Sequence, residues 1–395
     1  MKIIIYCQHV LGVGHFFRIL EIARAMDAFE VILVTGGAKV NADLPRHIRH
    51  FELPGLMMDE SFSSLHSIDP EKTVENVKSQ REKLLLELVK LEKPDIFFIE
   101  LYPFGRRAFR FELVPVLELI KKNQDWHCKV ICSLRDILVE KENTLKYENR
   151  VIQALNTFFD AVLVHSDPEL IRLEDTFAGL DRIKVPIVYT GFVTPVPDPG
   201  IGRQIRRNIG MNEKTSLIVA SAGGGNVGAE LLKSTVHAFN RLAPELDVML
   251  NIYTGPYMDR NDKKYLFSFA DKRIKIEEFT PDFVSLLGTA DLSISMAGYN
   301  TCMNIVAAGV PALVFPFARN REQRQRAMKL AEFAPIIVLG EKELEPEKFS
   351  RIIEKNIGLK NTEMSLSLNI HGAVNTVKWI RGNYSASTPY SPTLA

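Results

Sequence analysis

The chain has 395 residues, 46% hydrophobic and 25% charged, with 49 Lys and Arg against 48 Asp and Glu for a net charge of +1. That length exceeds one ordinary core, so two domains are expected. The near balance of charge argues against nucleic acid as the main partner, since phosphate backbones demand a clearly basic surface.

Lys2 is followed by an apolar run broken at Gln8 and His9, too short for a signal peptide or a spanning helix. Lys2 to Tyr6 reads as a strand. Ile19, Ile22, Ala23 and Met26 then recur at helical spacing, and Glu30 to Thr35 reads as a second strand. Gly12 and Gly14 therefore lie in the first strand-to-helix loop, where the missing side chain lets backbone approach a ligand. No third glycine follows, and Phe17 stands where a dinucleotide fold wants Gly, which disfavours a nicotinamide cofactor. His15 reads either as a loop hydrogen-bond partner or, preferred, as a general base, because imidazole titrates near neutrality.

Glu71 to Glu92 is a charged amphipathic helix ended by Pro94-Asp95. Strands follow at Ile96 to Ile99, Lys129 to Ser133 and Ala161 to Val164, each closed by polar residues. Glu100, Arg135, Asp136 and His165 are thereby expected on the rim that carries His15. Arg106, Arg107 and Arg110, interleaved with Phe104, Phe109 and Phe111, read either as a grip on an anionic or lipid-linked acceptor or as a solvated helix face. The four cysteines, Cys7, Cys128, Cys132 and Cys302, show no Cys-x-x-Cys pair and no His at zinc spacing, as expected of reduced structural thiols in a cytoplasm.

Four prolines and three glycines between Val185 and Gly202 mark the domain joint. The expected divisions are a first domain over 1–190, a linker over 191–212, a second domain over 213–370, a helix over 371–383 crossing back to the first domain, and a disordered tail over 384–395. Ser216 to Ala220 reads as a strand, and Gly223, Gly224, Gly225 and Asn226 follow before a helix from Ala229 to Leu242. Three consecutive glycines cost chain entropy unless their amides are needed, and a diphosphate cradle is the natural need. The loop lacks the Lys-Ser/Thr of a P-loop, which disfavours triphosphate hydrolysis. Phe279 and Thr280 lie in a loop that can offer an apolar wall and backbone groups to a base. Asp291 to Ser295, a turn at Ala297-Gly298, a helix from Tyr299 to Ala308 and a strand from Ala312 to Phe315 form a strand–turn–helix–strand unit. The start of that helix favours an anion, although Asn300 or Thr301 can equally serve as its cap. The run Arg319 to Arg326 reads as a solvated face or, following a strand end, as a ligand-facing segment.

Gly12-Val-Gly-His15, the Gly223–Gly225 loop, Met296-Ala-Gly298 and the run Ala307 to Phe317 resemble glycosyltransferase family 28, with its α/β GT-B architecture of two facing, doubly wound Rossmann-like domains. With Gln8-His9 and Tyr102-Pro-Phe-Gly-Arg-Arg107 the pattern is similar to a bacterial branch of predicted glycosyltransferases. The resemblance implies that Gly14 and the triple glycine approach the donor diphosphate and that Met296, Ala297, Gly298, Tyr299, Asn300 and Thr301 hold it from the opposite helix. It also implies that Glu322 and Gln323 bind the donor sugar. Asn304 stands where relatives carry a Glu for the ribose hydroxyls; an amide lacks the carboxylate's charge-assisted strength.

The expected function is inverting, metal-independent transfer of a sugar, an N-acetylhexosamine being the candidate, from a UDP-linked donor to an acceptor hydroxyl. The catalytic candidates are His15, Glu100 and Asp136, and Arg106, Arg107 and Arg135 are the acceptor-binding ones. The chain has no Asp-x-Asp motif, so no metal or other cofactor is expected. The expected partners are the nucleotide sugar and a small or lipid-linked saccharide acceptor, in a cytoplasmic setting with peripheral membrane contact as an option. Two alternatives stand beside this: a sugar-nucleotide hydrolase that activates water through the Gly-x-Gly-His loop, and a non-catalytic nucleotide-sugar-binding subunit.

Overall fold

The structure is a computed structural model that describes residues 1–10, 13–40, 42–58, 64–138, 143–212, 214–242, 246–318, 320–357 and 368–384. Gly12, Arg319 and the tail beyond Tyr384, all singled out above, lie outside the described residues. The chain divides into two compact units, Met1–Val193 with His371–Ala395, and Thr194–Ile370.

In the first unit, in chain order, are β1 (Lys2–Tyr6), α1 (Gly14–Ala25), β2 (Glu30–Thr35), β3 (Ile48–Glu52), a small antiparallel pair β4 (Leu56–Met58) and β5 (Leu65–Ser67), α2 (Val74–Glu92), β6 (Ile96–Glu100), α3 (Arg110–Lys122), β7 (Lys129–Arg135), α4 (Thr144–Phe158), β8 (Ala161–His165) and β9 (Ile187–Tyr189). Seven of these strands form one parallel sheet in the order β3-β2-β1-β6-β7-β8-β9. Ile3, Ile4 and Ile5 of β1 and Phe97, Phe98 and Ile99 of β6 are fully buried. Alternate residues serve the two faces: Ile4, Phe97 and Ile99 join the core beneath α2, α3 and α4, while Ile3, Ile5 and Phe98 join Phe16, Ile19 and Ile380. Near-continuous apolar strands are what a sheet covered on both faces requires. Arg81, fully buried on α2, ties the strand ends together. It bonds Glu112 of α3 through Nε and Nη2 (2.8 and 2.6 Å), the Gly36 and Pro54 carbonyls through Nη1 (3.0 and 2.7 Å), and Gln8 through Nη2 (2.7 Å).

The second unit holds α5 (Pro199–Asn208), β10 (Ser216–Ser221), α6 (Ala229–Phe239), β11 (Val248–Tyr253), α7 (Arg260–Phe267), β12 (Ile274–Glu277), α8 (Phe283–Leu287), β13 (Leu292–Met296), α9 (Tyr299–Ala308), β14 (Ala312–Phe315), α10 (Arg321–Ala331), β15 (Ile336–Val338) and α11 (Pro346–Asn356). Its six-stranded parallel sheet runs β12-β11-β10-β13-β14-β15. Both sheets thus reverse direction once, between β1 and β6 and between β10 and β13. Ligands of doubly wound sheets bind at such reversals, outside the carboxyl ends of the strands.

Residues 199–208, inside the stretch expected to be a linker, form α5 and belong to the second unit. Asp198 caps that helix by accepting from the amides of Gly200 and Ile201, and Pro199 sits in its first turn. The residues that looked like a flexible joint are helix-start chemistry. The last helix, Gly372–Tyr384, is part of the first unit, where Val377 and Ile380 pack among Phe16, Ile19 and Ala23 of α1. Among the described residues no helix is long and apolar enough to cross a membrane.

Candidate functional site

In the second unit, β10 and β13 lie side by side, with Ser221 in register with Ser295. The loop after β10 and the turn after β13 are therefore neighbours at the sheet's reversal. A methyl group placed on Gly223 would lie 3.8 Å from the Thr301 hydroxyl, and one on Gly298 would lie 3.9 Å from the same oxygen. Thr301 Oγ1 is the point on which the two loops converge.

The three glycines of the first loop do different things. Gly223 donates its N–H to Ser221 Oγ at 3.0 Å, and Gly225 donates to the Ala222 carbonyl at 3.4 Å. Among the described residues the Gly224 N–H has no acceptor, and space opens beside it, the nearest atom to an added methyl being in the Tyr257 ring at 3.8 Å. Gly225 serves packing instead. Its φ is +92°, and a side chain there would lie 2.6 Å from the Thr254 carbonyl and 2.7 Å from the Met258 amide. Of the three glycine amides expected to face a ligand, those of Gly223 and Gly225 are spent within the turn, and that of Gly224 alone keeps no protein acceptor among the described residues.

On the opposite loop, Gly298 is the N-cap of α9 and has no side chain to cap with, so Asn300 and Thr301 sit in the first turn and do not act as the cap. Ala297 spends its amide on the Phe315 carbonyl (3.1 Å). The amides of Gly298 and Thr301 find no acceptor among the described residues. With Gly224 N–H and Thr301 Oγ1 they are four donors without a protein acceptor among the described residues, on the two loops that meet at the start of a ten-residue helix. Such a cluster suits a diphosphate.

Other expected donor contacts are more occupied. Gln323 Oε1 accepts from the Phe317 amide (3.1 Å), and Asn304 Oδ1 accepts from the Thr194 hydroxyl (2.9 Å), so each keeps chiefly its NH₂ for a ligand. Met296 and Tyr299 are buried, and Glu322 is nearly so in the first turn of α10. Thr280 accepts from the Asp282 amide (3.2 Å), Asn226 is exposed, and Phe279 is 52% exposed.

In the first unit the reversal lies between β1 and β6, with Tyr6 in register with Ile99. Gly14 opens α1 and is exposed. His15 follows, and its Nδ1 lies 2.6 Å from Oε1 of Glu100, the last residue of β6. Arg18 Nη2 also reaches that oxygen at 2.6 Å, and Arg106 Nε reaches Oε2 at 3.3 Å. Burial opposes the charge on Glu100, but His15, Arg106 and Arg18 outweigh it and hold the carboxyl well below the usual range. Burial lowers His15, Glu100 raises it, and the two guanidiniums lower it again, leaving its pKa near 3 instead of 6.5. With two cations already on Glu100, a third positive charge is disfavoured. The pair is therefore carboxylate and neutral imidazole. An ionised carboxylate can only accept, so Nδ1 carries the proton and Nε2 is left as the acceptor. The expectation that His15 titrates near neutrality is not met, because burial, with the two guanidiniums adding to it, suppresses protonation.

The rest of the expected rim is divided. Asp136 is fully buried just past β7 and makes no hydrogen bond to His15, while Arg135 ends β7 beside His165. His165 uses both ring nitrogens within the fold, on Ser133 Oγ (2.7 Å) and Thr190 Oγ1 (2.8 Å), and burial lowers its pKa to about 3. It is structural. Arg107 is exposed on the surface, unlike Arg106. Arg18 was not among the residues expected at the site. Its signal was there: it lies three residues after His15 on a helix, hence on the same face.

Residues 220–375 match the Glycosyltransferase family 28 C-terminal domain. A curated relative, the UDP-N-acetylglucosamine--N-acetylmuramyl-(pentapeptide) pyrophosphoryl-undecaprenol N-acetylglucosamine transferase of Caldicellulosiruptor saccharolyticus, is 31% identical over 164 residues, covering 39% of this chain and 42% of its own. The chain spans about half the length of the curated relatives it matches. Among solved structures, the MurG of Acinetobacter baumannii superposes with a TM-score of 0.52 at 16% identity, over 96% of this chain and 95% of that one. The UDP-GlcNAc 2-epimerase of Methanocaldococcus jannaschii superposes with a TM-score of 0.61 at 15% identity, over 97% and 100%. The likeness to solved structures is one of fold, GT-B with two Rossmann-like units, and residues 220–375 are similar to the family 28 C-terminal domain.

Proposed function

We propose, from a second unit of glycosyltransferase family 28, that this protein transfers a sugar from a UDP-linked donor to an acceptor hydroxyl with inversion and without a metal. The observation that carries the reading is the convergence of the Gly224 loop and the α9 N-terminus on Thr301 Oγ1. Donors fixed before the reaction stabilise charge as it builds on the leaving diphosphate, with no reorganisation cost.

In the transfer the acceptor oxygen bonds to the anomeric carbon as the bond from that carbon to the diphosphate oxygen breaks. The hydroxyl proton passes to Nε2 of His15, and Glu100, accepting from Nδ1–H, steadies the imidazolium that forms. A neutral imidazole of low basicity suits this sequence, because the attacking hydroxyl turns strongly acidic once its oxygen has bonded to carbon. Met296, Ala297, Tyr299 and Asn300 frame the diphosphate side, and Glu322, Gln323 and Asn304 are the sugar and ribose contacts.

The test is release of UDP from a panel of UDP-sugars, with and without cell extract as the source of acceptor. Extract-dependent release is the expected result; no release with any donor would overturn the reading. A second reading, hydrolysis of the sugar nucleotide, is favoured by the same His15–Glu100 pair, which can take a proton from water as readily as from an acceptor. Extract-independent release at a comparable rate would select it.

A further inference from the structure

Arg106 is an unusual residue for its place. Its side chain is only 8% exposed, yet among the described residues its buried Nη2 has no hydrogen-bond partner. Its ion pair among the described residues is with Glu100, a carboxylate that already serves Arg18 and His15. Its backbone is left-handed, with φ +58°, a conformation that a side chain of this size rarely adopts, and Leu101 at the other end of the same loop is left-handed too, with φ +67°. Strained non-glycine residues persist where the surroundings over-determine them, and a buried guanidinium with an idle N–H is costly. Glycine would satisfy the backbone better, and packing alone gives no use for the idle donor.

We propose that the acceptor bound by the first unit carries an anionic oxygen, on a phosphate or a carboxylate, next to its reactive hydroxyl, and that Arg106 Nη2 receives that oxygen. The inference rests on the reading of this unit as the acceptor half. Glu100 sets the spacing: His15 is held on its Oε1 and Arg106 on its Oε2, so hydroxyl and anion are bound through opposite oxygens of one carboxylate. Arg106 is then a specificity residue, selecting charged acceptors over neutral ones through a charge-assisted bond.

The experiment uses the full chain saturated with UDP, so that the second unit's cradle is filled, and titrates inorganic phosphate and, separately, acetate. Binding is followed by calorimetry and by the ring nitrogen signals of His15. Saturable binding of either anion is expected, with a shift at His15, weakened at least about tenfold in Arg106→Gln and Arg106→Gly, the loss of one charge-assisted bond. The exposed Lys121→Gln is the control and leaves binding unchanged. Arg106→Gly removes the same donor without leaving a side chain at a left-handed position, and the thermal midpoint is used only to confirm that both variants are folded. Absence of binding in wild type, or equal binding in the folded Arg106 variants, would each overturn the inference. UDP affinity is measured first: its failure would count against the donor cradle alone, since the His15 signals report anion binding without it.

Discussion

Nδ1 of His15 and Oε1 of Glu100 meet at 2.6 Å across the reversal of the first sheet, joining the helix after β1 to the end of β6. If Nε2 of that imidazole is the base, His15→Ala lowers kcat roughly 10²- to 10⁴-fold. UDP affinity, measured by calorimetry, stays unchanged, because His15 is not among the proposed contacts to UDP. An equal kcat would remove His15 from the mechanism.

The glycines of the second unit separate by substitution. Gly225→Ala meets the Thr254 carbonyl and the Met258 amide at a positive φ, and should cost about 2 kcal/mol or more of stability in a denaturant titration. Gly224→Ala meets nothing closer than 3.8 Å, and its stability should stay within about 1 kcal/mol of wild type. Its UDP affinity should nevertheless fall, because the added methyl crowds the one amide of the triple glycine left without a protein acceptor among the described residues.

Thr301→Val keeps the shape and removes the hydroxyl. UDP binding should weaken roughly tenfold with little change in thermal midpoint, as fits loss of one hydrogen bond to a charged group. Unaltered UDP affinity would mean that Thr301 Oγ1 faces no phosphate.

His165 sets an acid limit on stability. Unfolded imidazole takes a proton near pH 6.5, whereas the buried ring takes none until about 3. The folded state is thus fully favoured above about 6.5 and loses up to ~1.4 kcal/mol per pH unit as pH falls through that window. His165→Gln, which cannot titrate, should flatten the slope of denaturant midpoint against pH between 6 and 4.

Arg81→Met leaves Glu112 buried and uncompensated, and should cost about 3–5 kcal/mol in the same titration. A cost below about 1 kcal/mol would show that Tyr6, whose hydroxyl donates to Glu112, satisfies the carboxylate unaided.

Much of this architecture was legible in the sequence because parallel strands buried on two faces are continuous apolar runs: β1, β6, β10 and β13 fall within a residue or so of their expected places. Short elements such as β4, β5 and β15 were not, having only three residues each and partly exposed patterns. At the site, a shared rim for His15 and Glu100 followed from strand ends of one sheet, but which rim side chain pairs with His15 did not. The uses of the glycines did not follow, since a glycine that clears room for a phosphate and one that clears room for Thr254 look identical in one dimension. Arg106 and Arg107 were equally alike as letters; only the left-handed turn sends one inward to Glu100 and leaves the other on the surface.

The first unit is built from two separate stretches of the chain: Gly372–Tyr384 covers α1, and His371 bridges Val193. During synthesis this unit cannot finish assembling until residue 384 has left the ribosome, whereas the second unit is already complete by Ile370. The lobe encoded first is the lobe finished last, and until then the apolar surface around Phe16 and Ile19 awaits its cover. A fragment ending at Val193 would inherit that exposed surface permanently and should aggregate, while Thr194–Ile370 is the piece suited to expression by itself.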